Sequence, residues 1–243
     1  KCNHPLYLII SMKGIFITGT DTGVGKTAVA AGLAWLLKKK RGMDVAVMKP
    51  FATAEKVHST KYRSRDTAVL AEAAGVLEPD EELNPFFFKL PASPLMAAQL
   101  LGKRGVNVHE ALFPLKKLGI KHQFVVVEGI GGLMVPLTER EFVADFVRLS
   151  ALPVLIVTHP RLGTINHTLL TVRVCREFGL DVRGLIVNMM PKKPSVVEKN
   201  TPKMLERLAG VPVLAVLPAL KNPDYRAIGR LLEKTAVADK ILA

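Results

Sequence analysis

From Gly14 the chain runs an apolar block of about Gly14 to Thr18, then Gly19-Thr20-Asp21-Thr22-Gly23-Val24-Gly25-Lys26-Thr27. A stretch with Val29, Leu33, Leu36 and Leu37 on one helical face follows. Strand, glycine-rich turn and helix in that order constrain the fold more than anything else in the sequence. Successive N–H groups of such a turn, at the start of a helix, surround the oxygens of a polyphosphate. Gly23 and Gly25 permit the tight turn, Lys26 is placed to reach the β and γ phosphates, and the Thr27 hydroxyl to ligate magnesium. A fortuitous glycine turn would not combine strand, spacing and helix, and a dinucleotide site needs G-x-G-x-x-G where Lys26 and Thr27 stand. Thr20 occupies the place where glycine is usual, with Gly19 one residue earlier and Asp21 one later.

Apolar blocks of strand length then alternate with amphipathic stretches, the pattern of parallel strands joined by crossover helices. Val45 to Met48 reads as the next strand, and Phe124 to Val127, Val154 to Val157, Leu185 to Val187 and Val213 to Val216 as central strands covered on both faces. The first helix starts near Lys26 and ends in Lys38-Lys39-Lys40-Arg41 before Gly42, cations and glycine suiting a C-terminus. Asp66 to Ala74, a segment after Pro94, Phe142 to Leu149, a stripe of Ile165, Leu169 and Val172, and Pro194 to Leu208 read as further helices. Phe51 to Leu118 is otherwise less regular. The expected fold is α/β, of the P-loop NTPase type: a mostly parallel central sheet with helices on both faces. Residues 12–243 are expected to form a single ATP-binding catalytic domain, and Lys1 to Ser11 an N-terminal extension outside it.

The formal charge of +13 is dispersed in small groups such as Lys116-Lys117, without interleaved aromatics. That favours a solvated surface over a nucleic-acid partner. No apolar run is long enough to span a bilayer and Leu6 to Ile10 is too short for a signal-peptide core, so a cytoplasmic protein is expected. Cys2 and Cys175 suggest neither a disulfide framework nor a thiolate metal site, and His159 and His167 lack a third ligand in register.

A phosphate loop of this kind needs an acid at another strand end to hold magnesium. Glu128 follows Phe124 to Val127, and Gly129, Gly131 and Gly132 let the loop pass close to phosphates; a plain hydrogen-bond acceptor is the alternative. Lys49, before Pro50, closes the second strand at the carboxyl edge of the sheet, where it either neutralises phosphoryl charge or is a surface cation. Asp66 is either a metal ligand or a helix cap.

Taken together, the Gly19 to Thr27 loop, Met48-Lys49-Pro50, Val127-Glu128-Gly129-Ile130-Gly131-Gly132 and Leu162-Gly163-Thr164-Ile165-Asn166-His167 resemble the dethiobiotin synthetases over about Met12 to Leu220. The resemblance implies an ATP- and magnesium-dependent cyclo-ligase that forms a ureido ring from 7,8-diaminononanoate and CO2. It implies catalytic roles for Lys49, Lys26 and Thr22, and magnesium on Thr27, Asp66 and Glu128. The nucleotide would lie on Gly23, Val24, Gly25, Lys26, Thr27, Ala28, Asp66, Glu128, Gly129, Ile130 and Gly131. Asn188 would read adenine, with the Leu217-Pro218-Ala219 turn lining the base pocket. Thr53, Gly163, Thr164 and Asn166 would bind substrate, the last three across a homodimer interface. Leu95 and Leu133 depart from the family's usual histidine and aromatic, which leaves the exact substrate open. Two alternatives remain: an amidating ligase of the same fold, and a partition or regulatory ATPase binding DNA. The partition class carries an extra lysine where Asp21 stands.

Overall fold

The computed structural model describes residues 12–221 and 223–243. The extension read at Lys1 to Ser11 lies outside the described residues.

Phosphate loop and flanking elements form as read: β1 (Gly14–Gly19) feeds the loop and α1 (Lys26–Arg41) leaves it, closed by Gly42 in the left-handed conformation. Then follow β2 (Val45–Met48), β3 (Phe51–Thr53), α2 (Arg65–Ala74), α3 (Asp80–Leu83), β4 (Phe86–Phe88), α4 (Pro94–Leu100), α5 (Val108–Lys121) and β5 (Phe124–Glu128). The rest of the chain supplies α6 (Val143–Ser150), β6 (Val154–Thr158), α7 (Thr164–Glu177), β7 (Val182–Met190), α8 (Val196–Ala209), β8 (Val213–Pro218), α9 (Tyr225–Leu232) and α10 (Val237–Leu242). Ser64, Ser93, Asn107 and Ser195 cap α2, α4, α5 and α8 through side-chain oxygens, the chemistry that satisfies free N–H groups of a first turn.

Six strands form one parallel sheet in the order β2-β5-β1-β6-β7-β8. β1 is central, so the phosphate loop emerges between β5 and β6, where the connections diverge to opposite sides and leave a crevice. Every residue of β1, β2, β5 and β6 is buried, which explains their continuous apolar runs; β8, read as a central strand, is instead an edge strand with Val216 exposed. Right-handed crossovers in two directions put α1 on one face and α5 through α8 on the other. α9, which the sequence pattern did not disclose, packs on α1, where a Cβ on Gly32 would stand 2.5 Å from Ile228 and one on Gly229 would stand 2.4 Å from Trp35.

The irregular region proves more ordered than expected. β3 and β4 pair in parallel as a separate two-stranded sheet, and α5 continues through Pro114. Three-residue strands carry no readable period, and an interior proline argues against helix locally. Burial of Ala111, Leu112, Leu115 and Leu118 overrides that objection.

Candidate active site

Thr22, Gly23, Gly25, Lys26, Thr27, Lys49, Thr53, Asp66, Glu128, Ile130 and Gly131 all line one cavity of about 630 Å3. The loop half comes from the β1–α1 turn. Gly25 adopts φ 90°, and a Cβ there would stand 2.2 Å from Asn188 Nδ2, so glycine is required on two counts. Asn188, at the end of β7, spends Nδ2 on the Val24 carbonyl at 3.0 Å. Lys26 Nζ donates to the Asp21 carbonyl at 2.9 Å. Burial, helped by the nearby Lys49 charge, lowers the Lys26 pKa to about 8.

Lys49 governs the other half. Its ammonium, 4% exposed, lies 2.6 Å from Glu128 Oε1, 3.0 Å from Asp66 Oδ2 and 3.0 Å from the Gly129 carbonyl. Burial by itself lowers its pKa, but the two carboxylates outweigh burial and hold it above the ordinary value. Asp66 is also partly desolvated, which would raise its pKa; Lys49, Thr27 and Lys26 pull it below the ordinary value. Burial pushes Glu128 upward and the Asp66 charge adds to it, against the attraction of Lys49. Glu128 Oε1 also accepts from Thr27 Oγ1 at 2.8 Å, while Oε2 is buried without a partner. Lys49 is thus no surface cation. Ser64, not Asp66, caps α2 with its side chain, leaving the Asp66 carboxylate free to face the cavity.

A second cavity of about 450 Å3 opens beyond the loop, sharing Gly25 and Thr27 and lined further by Ala28, Asn188, Pro218 and Ala219. Leu217 is buried in the core beside it, and Leu220 takes the lining position. Gly163, Thr164 and Asn166 line neither cavity. Gly163 enters α7 with φ 92° and Asn166 is exposed. Thr164 is buried, its hydroxyl 2.6 Å from that of Thr158. Leu95 and Leu133 also lie outside the reaction cavity; Leu133 is part of the core and only Ser93 of the Ser93-Pro94-Leu95 segment reaches the lining.

Two groups of residues escaped the sequence reading. Thr158 joins Thr20, Thr164 and Thr168 through hydroxyl contacts of 3.1, 2.6 and 3.1 Å, tying the phosphate loop to α7; only Thr164 and Thr168, one helical turn apart, hinted at it. Asn84, wholly buried, holds the Lys49 carbonyl from a segment with no motif.

A glycine cradle, a lysine, a hydroxyl and two carboxylates open on one cavity beside a second pocket at the strand ends, the constellation of a P-loop nucleoside-triphosphate-dependent enzyme. A family model described as an AAA domain matches residues 13–224. The ATP-dependent dethiobiotin synthetase of Bacillus licheniformis is 43% identical over 222 residues, 91% of this chain and 92% of its own. The chain belongs to the ATP-dependent dethiobiotin synthetases. Relatives of that name from Bacillus subtilis strain 168, 43% identical over 87% of this chain and 89% of theirs, and from Nitrosopumilus maritimus, 39% identical over 92% and 96%, agree. In fold the chain is similar to a ParA family ATPase from Chlorobium tepidum, at TM-score 0.55 and 17% identity over 95% of this chain and 96% of that one. The MinD cell-division ATPase of Pyrococcus furiosus gives TM-score 0.53 and 21% identity over 96% and 100%. These two likenesses concern the fold alone.

Proposed function

We propose that this chain closes the cyclic urea of dethiobiotin from 7,8-diaminononanoate and CO2 at the expense of ATP. One amine adds to CO2 to give a carbamate with loss of a proton. A carbamate oxygen attacks the γ phosphorus and ADP departs, leaving a carbamic-phosphoric anhydride. The second amine attacks the carbonyl carbon and gives up a proton, phosphate leaves, and the ring closes. Little of this requires covalent participation by the protein; positioning and charge neutralisation suffice.

The observation that carries the reading is the Lys49 ammonium, buried between Glu128 and Asp66 at the cavity that also receives Lys26 and the loop N–H groups. A lysine kept charged in so dry a place acts most strongly on charge that develops next to it. Lys26 serves the transferring phosphoryl group, with Thr22 beside it. Thr53 meets the amine substrate. The nucleobase occupies the second cavity, where Asn188, its Nδ2 already engaged, offers Oδ1 to an exocyclic amino group.

Thr27, Asp66 and Glu128 suit magnesium: all are hard oxygen donors, and the buried, unpartnered Oε2 of Glu128 is an acceptor awaiting a cation. When bound, the metal would neutralise phosphate charge. A homodimer would bring the start of α7, where Gly163 and Asn166 are exposed and Thr164 is buried, towards the partner's substrate. Residues 12–243 would then act as one ATP-binding catalytic domain in the cytoplasm, in keeping with the lack, among the described residues, of any helix long and apolar enough to cross a membrane.

Incubation with ATP, magnesium, bicarbonate and 7,8-diaminononanoate, followed by mass detection of the cyclic urea, tests the reading. ATP binding without product refutes it. Salt-sensitive binding to random DNA, with ATP turnover indifferent to the diamine, would instead support a DNA-bound ATPase.

A further inference from the structure

Lys49 leaves β2 at the edge of the main sheet, where no neighbouring strand receives the outer side of its backbone. The segment after α3 takes that place. The Lys49 N–H donates to the Leu83 carbonyl at 2.8 Å, and the Lys49 carbonyl accepts from Asn84 Nδ2 at 2.7 Å. The same amide nitrogen donates to the Phe86 carbonyl at 3.3 Å, and the Phe86 N–H donates to Pro50 at 3.2 Å. A planar amide with two donors on one nitrogen can hold both carbonyls at once, which a hydroxyl cannot.

Asn84 is itself held. Its N–H donates to the Asp80 carbonyl at 2.6 Å, and its own carbonyl accepts from Arg63 Nη2 at 2.7 Å. Arg63 Nε pairs with the Asp80 carboxylate, and the Arg63 backbone N–H donates to the same carboxylate at 3.2 Å. Arg63 directly precedes Ser64, the cap of α2, and Asp66 lies in that helix's first turn. One brace, buried at Asn84 and Asp80 and partly exposed at Arg63, therefore touches the backbone at Lys49 and just ahead of the helix that carries Asp66, yet Arg63, Asp80 and Asn84 line neither nucleotide nor reaction cavity.

We propose that Asn84, clamped by Arg63 and Asp80, is a positioning residue that fixes the Lys49 ammonium against Asp66 and Glu128. The inference rests on the role given to Lys49 above. It adds that the spacing of these three charges is set from outside the cavity, by a side chain that touches no reactant. Charges placed for a transition state lose their effect steeply with displacement, so a strand end that drifts should cost turnover before it costs binding.

The test compares Asn84→Ala and Arg63→Lys in the full chain, with turnover and direct calorimetric ATP affinity. Asn84→Ala is expected to lower kcat roughly 10- to 100-fold, the usual cost of losing a supporting contact, with ATP Kd held within about twofold. Arg63→Lys should lower kcat by roughly three- to tenfold, because it keeps charge but loses the planar fork. In the Lys49→Ala background, measured by single turnover, Asn84→Ala should have no further effect beyond about twofold. An equal loss in both backgrounds, a matching loss of ATP affinity, or an unchanged kcat in folded Asn84→Ala would overturn the proposal. If Asn84→Ala does not fold, Arg63→Lys taken through the same cycle decides. Full turnover in Lys49→Ala itself would instead remove the role of Lys49, a failure distinct from that of the brace.

Discussion

The two halves of the site are built differently. The phosphate loop is one continuous segment whose shape follows from its own residues: glycine at Gly25, lysine and threonine next, a helix behind. The Lys49 half is assembled from four separate segments that meet only in the folded molecule: β2, the first turn of α2, the end of β5 and the stretch after α3. A contiguous cradle carries most of its geometry in its own residues, with Thr158 and Asn188 tying it to the strands beside it. An assembled one depends on backbones that must arrive from several directions, so binding and turnover should be separable by mutation.

The largest expected effect comes from Lys49→Ala, which should lower turnover by roughly 10²- to 10³-fold, the scale for removing a preorganised charge. ATP affinity should stay within a few fold, as calorimetry would show; equal losses would erase the distinction between the halves. Next, Glu128→Ala leaves the buried Lys49 with only the half-exposed Asp66 as carboxylate partner. Breaking such a pair from one side should cost about 3 kcal/mol in denaturant unfolding. An unchanged midpoint would mean that the second half is no more interdependent than the first.

Gly25→Ala attacks the loop half instead. Strain at positive φ and the clash with Asn188 Nδ2 should cost about 1–3 kcal/mol, read as weaker ATP binding. Loss of turnover at saturating ATP, with affinity intact, would contradict that assignment. The mildest test is pH. Nucleotide binding favours protonated Lys26, whose pKa in the free protein is lowered to about 8. ATP affinity should be flat below that value and fall above it by up to about tenfold per pH unit, because binding must then recruit a proton. A flat profile well above pH 8 would show that Lys26 does not meet the phosphates.

The same contrast decides what was legible in the chain. The cradle, α1 and the six strands of the main sheet were readable because each announces itself within a few residues, through glycine spacing or an unbroken apolar run. Lys49 and Glu128 were readable as strand ends, but burial settled that Lys49 is no surface cation. Asn84 was not readable at all: a single asparagine between α3 and β4 looks like any turn residue, and its value lies in two carbonyls that other segments bring to it. Leu217 was placed one residue off the pocket, since a strand-end apolar residue can face core or cavity and only the sheet decides. Likewise β3 and β4 are held by each other and by the braced edge, not by any preference of three-residue strands.

The close seam between α1 and α9 has a consequence for how the molecule is made. α1 follows the phosphate loop near the start of the fold, and its small residues Ala30, Ala31, Gly32 and Ala34 are wholly buried. Yet much of what covers it, Ile228 and the backbone at Gly229, lies far downstream. During synthesis the nucleotide-gripping helix must wait, apolar face uncovered, until almost all the other elements have emerged, with non-local closure as a late event. An incomplete chain should therefore hold ATP poorly, although every residue of its phosphate loop is already present.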